Sequence, residues 1–153
     1  MSKQSEQILE EKLIAQLKKL GYQYVSLADE EALTRNLKSQ LEKHNQLVFS
    51  ATEFEKVLNI LRKGSVFEKA KLLREKQHII RDNGDNLYFE FLNTEHWCQN
   101  QYQVTNQVTQ DGKYKNRYDV TLLINGMPLV QIELKRRGLE LKEAFNQVNR
   151  YQR

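Results

Sequence analysis

The chain has 153 residues, 39% of them hydrophobic and 29% charged, with a net charge of +4. That length and balance suit one domain around a single core, and they exclude a disordered chain or one assembled from membrane spans. One cysteine, Cys98, rules out an internal disulfide, fits a reducing cytoplasm, and reads as a buried structural residue.

Nothing between Met1 and Lys12 resembles a secretory signal, since the stretch is polar and charged. Ser5 can cap a first helix to about Leu20, with Leu9, Leu13, Leu17 and Leu20 on one stripe and Gly21 as the stop. Tyr22 to Val25 reads as an extended exit. Asp29 opens a mostly helical insertion, about 29–76. Its first helix runs from Glu30 to about His44 with Leu33, Leu37 and Leu41 in phase. Thr52 and Glu55 read as the capping box of a second helix with Phe54, Val57, Leu58 and Leu61 as its stripe. Ser65 and Glu68 repeat that box for a third, using Val66, Phe67, Ala70 and Leu73. The histidines His44, His78 and His96 are isolated and lack metal-ligand spacing, so core or surface roles are expected of them.

Asn83-Gly84, between Ile79-Ile80 and the run Leu87 to Phe91, marks a peripheral hairpin. Gln101 to Val108 alternates as a half-buried strand before an Asp111-Gly112 turn. Two more strands, 117–124 and 128–136, complete a three-stranded antiparallel meander. After Gly138, Leu141, Ala144, Phe145 and Val148 give a helix that can cover the sheet, with Gln147 and Tyr151 four apart on one side. From Lys113 to Arg153 basic residues outnumber acidic ones by five, so the positive charge is concentrated there. Such a face suits a polyanion; a solvated surface is the plainer alternative.

The hairpin carries the chemistry. Asn125-Gly126 is a strong turn signal. Even positions Val120, Leu122, Ile124 and Val130, Ile132, Leu134 make one face, and Asp119, Gln131, Glu133 and Lys135 lie on the other. A plain two-residue loop would set Asp119 against Ile132 and mismatch the faces. A three-residue loop including Met127, or a bulge beside the turn, instead pairs Asp119 with Glu133, Thr121 with Gln131 and Leu123 with Leu129. Two carboxylates then face each other across the strands, which is unfavourable unless a positive species, such as a divalent metal, sits between them.

Asp119, Glu133-Leu134-Lys135, Gln147 and Tyr151 resemble the D…E-x-K…Q-x-x-x-Y signature of PD-(D/E)xK nucleases, with Tyr118 where that name has proline. More narrowly, Asn116 to Asp119, Ile124 to Leu129 and Ile132 to Lys135 resemble the N-terminal nuclease domain of the restriction subunit of type I restriction enzymes. The resemblance implies an α/β (α+β) core with a mostly antiparallel sheet flanked by helices and carrying the helical insertion, all within one domain spanning 1–153. It implies Mg²⁺-dependent hydrolysis of double-stranded DNA, with Asp119 and Glu133 as metal ligands, helped by the Leu134 carbonyl. Lys135 would orient or activate water, and Gln147 and Tyr151 would support it or contact DNA. Glu10, on the first helix, is the candidate for a further acidic residue. Further implied are a cytoplasmic complex with methyltransferase and specificity subunits, and an ATP-driven motor beyond this segment, which itself has no Walker A loop. A junction-resolving nuclease and a non-catalytic DNA-binding or subunit-contact module are the rival expectations. Metal titration separates the second, because an inert module binds DNA equally well in EDTA.

Overall fold

A computed structural model describes residues 6–110, 116–135 and 146–148. Helix α1 (Glu6–Lys19) leads into the short strand β1 (Gln23–Tyr24). Helices α2 (Glu30–Asn45), α3 (Ala51–Arg62) and α4 (Val66–Arg74) follow. The hairpin β2 (Lys76–Ile80) and β3 (Asn86–Glu90), a 3₁₀ turn Trp97–Gln99, and strands β4 (Tyr102–Gln110), β5 (Asn116–Ile124) and β6 (Met127–Ile132) complete the described elements. The fold is α+β. Its main sheet runs β1-β4-β5-β6, with β1 parallel to β4 and the other pairs antiparallel, while β2-β3 is a separate two-stranded sheet. The expected meander is therefore present, widened by a parallel edge strand.

Capping chemistry sets most helix ends. The Asp29 carboxylate accepts from the Ala32 N–H at 2.8 Å to start α2. At α3 the capping box is Ser50 with Glu53, two residues before the expected pair; the Thr52 hydroxyl donates instead to Asp82 at 2.7 Å. Ser65 and Glu68 form the expected box at α4. Val66 and Phe67, read as core, are 81% and 88% exposed, and Leu72 and Leu73 make the packing face. Leu20 is likewise exposed rather than part of the α1 stripe. Cys98 is exposed, contrary to the expected burial. It belongs to a one-turn 3₁₀ segment that buries none of its residues.

Two apolar clusters hold the chain. In the first, Leu13, Ile14 and Leu17 of α1 cover Val104, Val120, Leu122 and Ile132 on the even face of the sheet. The second joins Leu37, Leu41, Phe54, Val57 and Leu58 of the helices to Phe49, Ile79, Phe89, Phe91 and Met127. Edge-to-face rings at 5.7 Å (Phe49 and Phe89) and 5.2 Å (Phe89 and Phe91) fill its centre. The β2-β3 hairpin, expected at the periphery, thus supplies core aromatics, and the helical segment shares its core with the β5-β6 hairpin. On the odd face Asn36 of α2 and Gln103 exchange amide hydrogen bonds of 2.9 and 3.1 Å. β4, expected half-buried, is covered on both faces, with Gln103, Val104 and Thr105 all buried. The Ser5 cap, the Asp111-Gly112 turn, Gly138, the Leu141, Ala144 and Phe145 stripe, and Tyr151 lie outside the described residues.

Candidate functional site

The β5-β6 hairpin closes at Asn125-Gly126 with φ of 50° and 83°, the two positive values of a type I′ turn. Ile124 pairs with Met127 and Leu123 with Pro128; the register then shifts, and Leu122, Thr121 and Val120 pair with Val130, Gln131 and Ile132. Of the two expected routes, the bulge beside the turn is the one taken. The extra residue is Leu129, so the expected Leu123–Leu129 pair is replaced by Leu123–Pro128. The closed end is anchored by Asn125, fully buried, whose side chain donates to the Phe91 carbonyl (2.7 Å) and Asn100 Oδ1 (2.9 Å) and accepts from the Gln101 N–H (2.7 Å).

At the open end the register places Asp119 level with Glu133, one rung beyond Val120 and Ile132. β6 stops at Ile132, and a side chain takes over the tie between the strands: Asp119 Oδ2 accepts from the Leu134 N–H at 2.8 Å. The bond fixes the Asp119 carboxylate beside the Glu133-Leu134-Lys135 backbone. Glu133 Oε2 accepts from Gln147 Nε2 at 3.4 Å, a long contact that nonetheless brings residue 147 to the site from a helical segment. Gln147 thus meets Glu133, where the resemblance had it supporting Lys135 or contacting DNA. Asp119, Glu133 and Lys135 are all half-buried. On the same odd face, Thr105 and Thr121 pair across β4 and β5, with buried hydroxyls that have no hydrogen-bond partner among the described residues.

Glu10 is buried on α1, its carboxylate accepting from Asn106 Nδ2 and Gln107 Nε2, both at 2.6 Å. Among the described residues no three His, Cys, Asp or Glu side chains converge as a metal-binding group. Of the expected metal ligands, Asp119 and Glu133 are the two that the register brings level. Sequence reasoning missed Asn106, Gln107 and Asn125, whose contacts are with residues 24 to 97 positions away. It also missed the partner of His44, whose Nε2 lies 3.0 Å from Glu90 in the wall of a cavity of about 550 Å³, lined also by Arg74, Lys76 and Tyr88. None of the candidate residues lines that cavity.

An α+β domain that levels two carboxylates at the open end of a bulged hairpin defines the class. The chain belongs to the family described as the type I restriction enzyme R protein N terminus, whose model matches residues 3–153. It is 48% identical over 155 residues to the type I restriction enzyme SsaAORF53P endonuclease subunit of Staphylococcus saprophyticus, covering 98% of this chain and 17% of that protein. The SauCOLORF180P endonuclease subunit of Staphylococcus aureus is 46% identical across 100% of the chain and 17% of its own length. The EcoprrI endonuclease subunit of Escherichia coli is 40% identical over 98% of the chain and 50% of that protein. The chain thus spans about a sixth of the staphylococcal relatives and half of the Escherichia coli one. Among the described residues no helix is long and apolar enough to cross a membrane.

Proposed function

We propose that this chain is the DNA-cleaving domain of a type I restriction subunit, with a PD-(D/E)xK-type site at Asp119, Glu133 and Lys135. The observation that carries the reading is the register: a bulge at Leu129 sets Asp119 level with Glu133, and the Asp119–Leu134 hydrogen bond holds them there. The relatives' names as endonuclease subunits agree with it.

The donor set suits Mg²⁺, a hard cation that takes one or two carboxylates, keeps several waters and shuns sulfur. Asp119, Glu133 and the Leu134 carbonyl would hold it. When bound, the ion supplies Lewis-acid polarisation of the phosphodiester and a more acidic water. Lys135, two residues beyond Glu133, would place a positive charge where negative charge grows on the phosphorus oxygens, and its ammonium could orient the attacking water. Gln147 orients the Glu133 carboxylate through its amide. Tyr151, four residues further, would contact the DNA backbone or Lys135. The basic surplus between Lys113 and Arg153 gives a non-specific hold on double-stranded DNA. Sequence choice and delivery fall to other parts of a cytoplasmic complex: specificity and methyltransferase subunits and an ATP-driven motor.

The test is Asp119→Ala in the restriction subunit assembled in its complex. DNA cleavage should be abolished and ATP-driven translocation kept, because the carboxylate serves only the hydrolytic step. Undiminished cleavage would refute the assignment.

A further inference from the structure

Asn106 and Gln107 are neighbours in β4, and neighbours in a regular strand point to opposite faces. Both nonetheless donate to one carboxylate, Asn106 Nδ2 to Glu10 Oε1 and Gln107 Nε2 to Glu10 Oε2, each at 2.6 Å. The backbone makes this possible at Gln107, whose φ of 56° is left-handed. β4 and β5 pair at Asn106–Val120 and again at Val108–Tyr118, while the rung between them, Gln107 level with Asp119, is not paired. By strand alternation Gln107 belongs on the face of Thr105, Thr121 and Asp119. It has been turned instead toward Glu10, on the face that α1 covers.

The elements of this arrangement support one another. Glu10 is 8% exposed, and its charge is met by two charge-assisted amide bonds. The Tyr24 hydroxyl donates to Asn106 Oδ1 at 2.8 Å, which fixes the Asn106 amide with its N–H₂ toward Glu10. A buried carboxylate and a left-handed glutamine are each unfavourable alone, and strain of this kind gathers at functional sites.

We propose that Glu10 is a positioning residue: it holds the Gln107 side chain off the Asp119 face and so keeps the space beside Asp119 and Glu133 clear for the scissile phosphate of DNA. The proposal rests on the reading of Asp119 and Glu133 as the cleavage site. It gives Glu10 work other than ligating metal.

The experiment uses the restriction subunit assembled in its complex. Glu10→Ala removes both acceptor oxygens, so Gln107 is released. Cleavage should fall about tenfold or more, while Mn²⁺ affinity, measured by calorimetric titration of the subunit, stays within about twofold because no ligand is lost. Adding Gln107→Gly should restore cleavage to within about threefold of wild type, since glycine takes the left-handed φ unaided and has no side chain to occupy the space. Gln107→Gly alone should cleave normally, whereas Gln107→Val, which resists that φ, should lose cleavage with Glu10 intact. Failure of the glycine rescue, or a fall in Mn²⁺ affinity parallel to the fall in cleavage, overturns the proposal in favour of direct metal contact by Glu10. Wild-type cleavage by Glu10→Ala overturns it too. Asp119→Ala run alongside separates the two levels: if that variant still cleaves, the site reading itself has failed.

Discussion

Adding one methyl group at Gly126 tests whether the β5-β6 hairpin is docked as described. A Cβ there would lie 2.6 Å from the Leu37 Cα and 3.2 Å from the Asn36 carbonyl oxygen, both in the backbone of α2. Neither atom can be rotated away, so Gly126→Ala must push the turn off the helix. The φ of 83° adds its own cost for an L side chain, roughly 1–2 kcal/mol, and overpacking adds roughly 1–3 kcal/mol. Together these predict a loss of about 2–5 kcal/mol, which for a domain of this size lowers the unfolding midpoint by about 4–20 °C. Gly84→Ala is the matched control: its φ is also positive, at 91°, but a Cβ meets nothing within 4 Å, so only the backbone cost of about 1–2 kcal/mol applies. Thermal and urea unfolding of the two variants, followed by circular dichroism, gives the comparison. Equal losses at the two positions would refute the docking of the turn against α2. Because Asp119 and Glu133 sit at the open end of the same hairpin, an undocked turn should also reduce cleavage.

Lys135 should separate metal binding from catalysis. Lys135→Ala is expected to leave Mn²⁺ affinity equal or higher, because a nearby positive charge has gone, while cleavage falls by roughly 10²–10³; metal loss as severe as in Asp119→Ala would give Lys135 a structural role instead. Lys135→Arg should not restore activity, since a planar fork does not replace a compact ammonium. Acid stability offers a test remote from the site. The Ser50 backbone N–H, followed by Arg81, holds the Glu53 carboxyl below its ordinary value of 4.5. A folded value below the unfolded one contributes stability that is fully present above pH 4.5 and is lost as pH falls through the folded value. Glu53→Gln should therefore cost most near neutrality and progressively less below pH 4.5, measured by urea unfolding across that range; a cost independent of pH would refute the linkage.

Local patterns were sufficient wherever the deciding interactions are short-range. The Asn125-Gly126 turn, the Asp29 and Ser65 caps and the alternation of β5 each depend on residues a few positions apart, and the structure bears them out. Even the level placement of Asp119 and Glu133 followed from matching apolar faces, because a one-residue slip would turn a whole strand inside out. The capping box of α3 lies two residues before the expected one, because Ser50 and Thr52 both carry cap-forming hydroxyls. The Thr52 hydroxyl goes to a tertiary partner, Asp82, 30 positions along the chain. Burial at the margins failed likewise: Cys98, Val66 and Phe67 look like core residues, yet no neighbouring element covers them among the described residues. Tertiary structure alone decided the fate of Glu10, an ordinary helix carboxylate until Asn106 and Gln107 arrive from nearly 100 residues away. The left-handed φ of Gln107 has no local signature, since glutamine is not a residue that favours it; it accompanies a hydrogen bond to a buried carboxylate on another element.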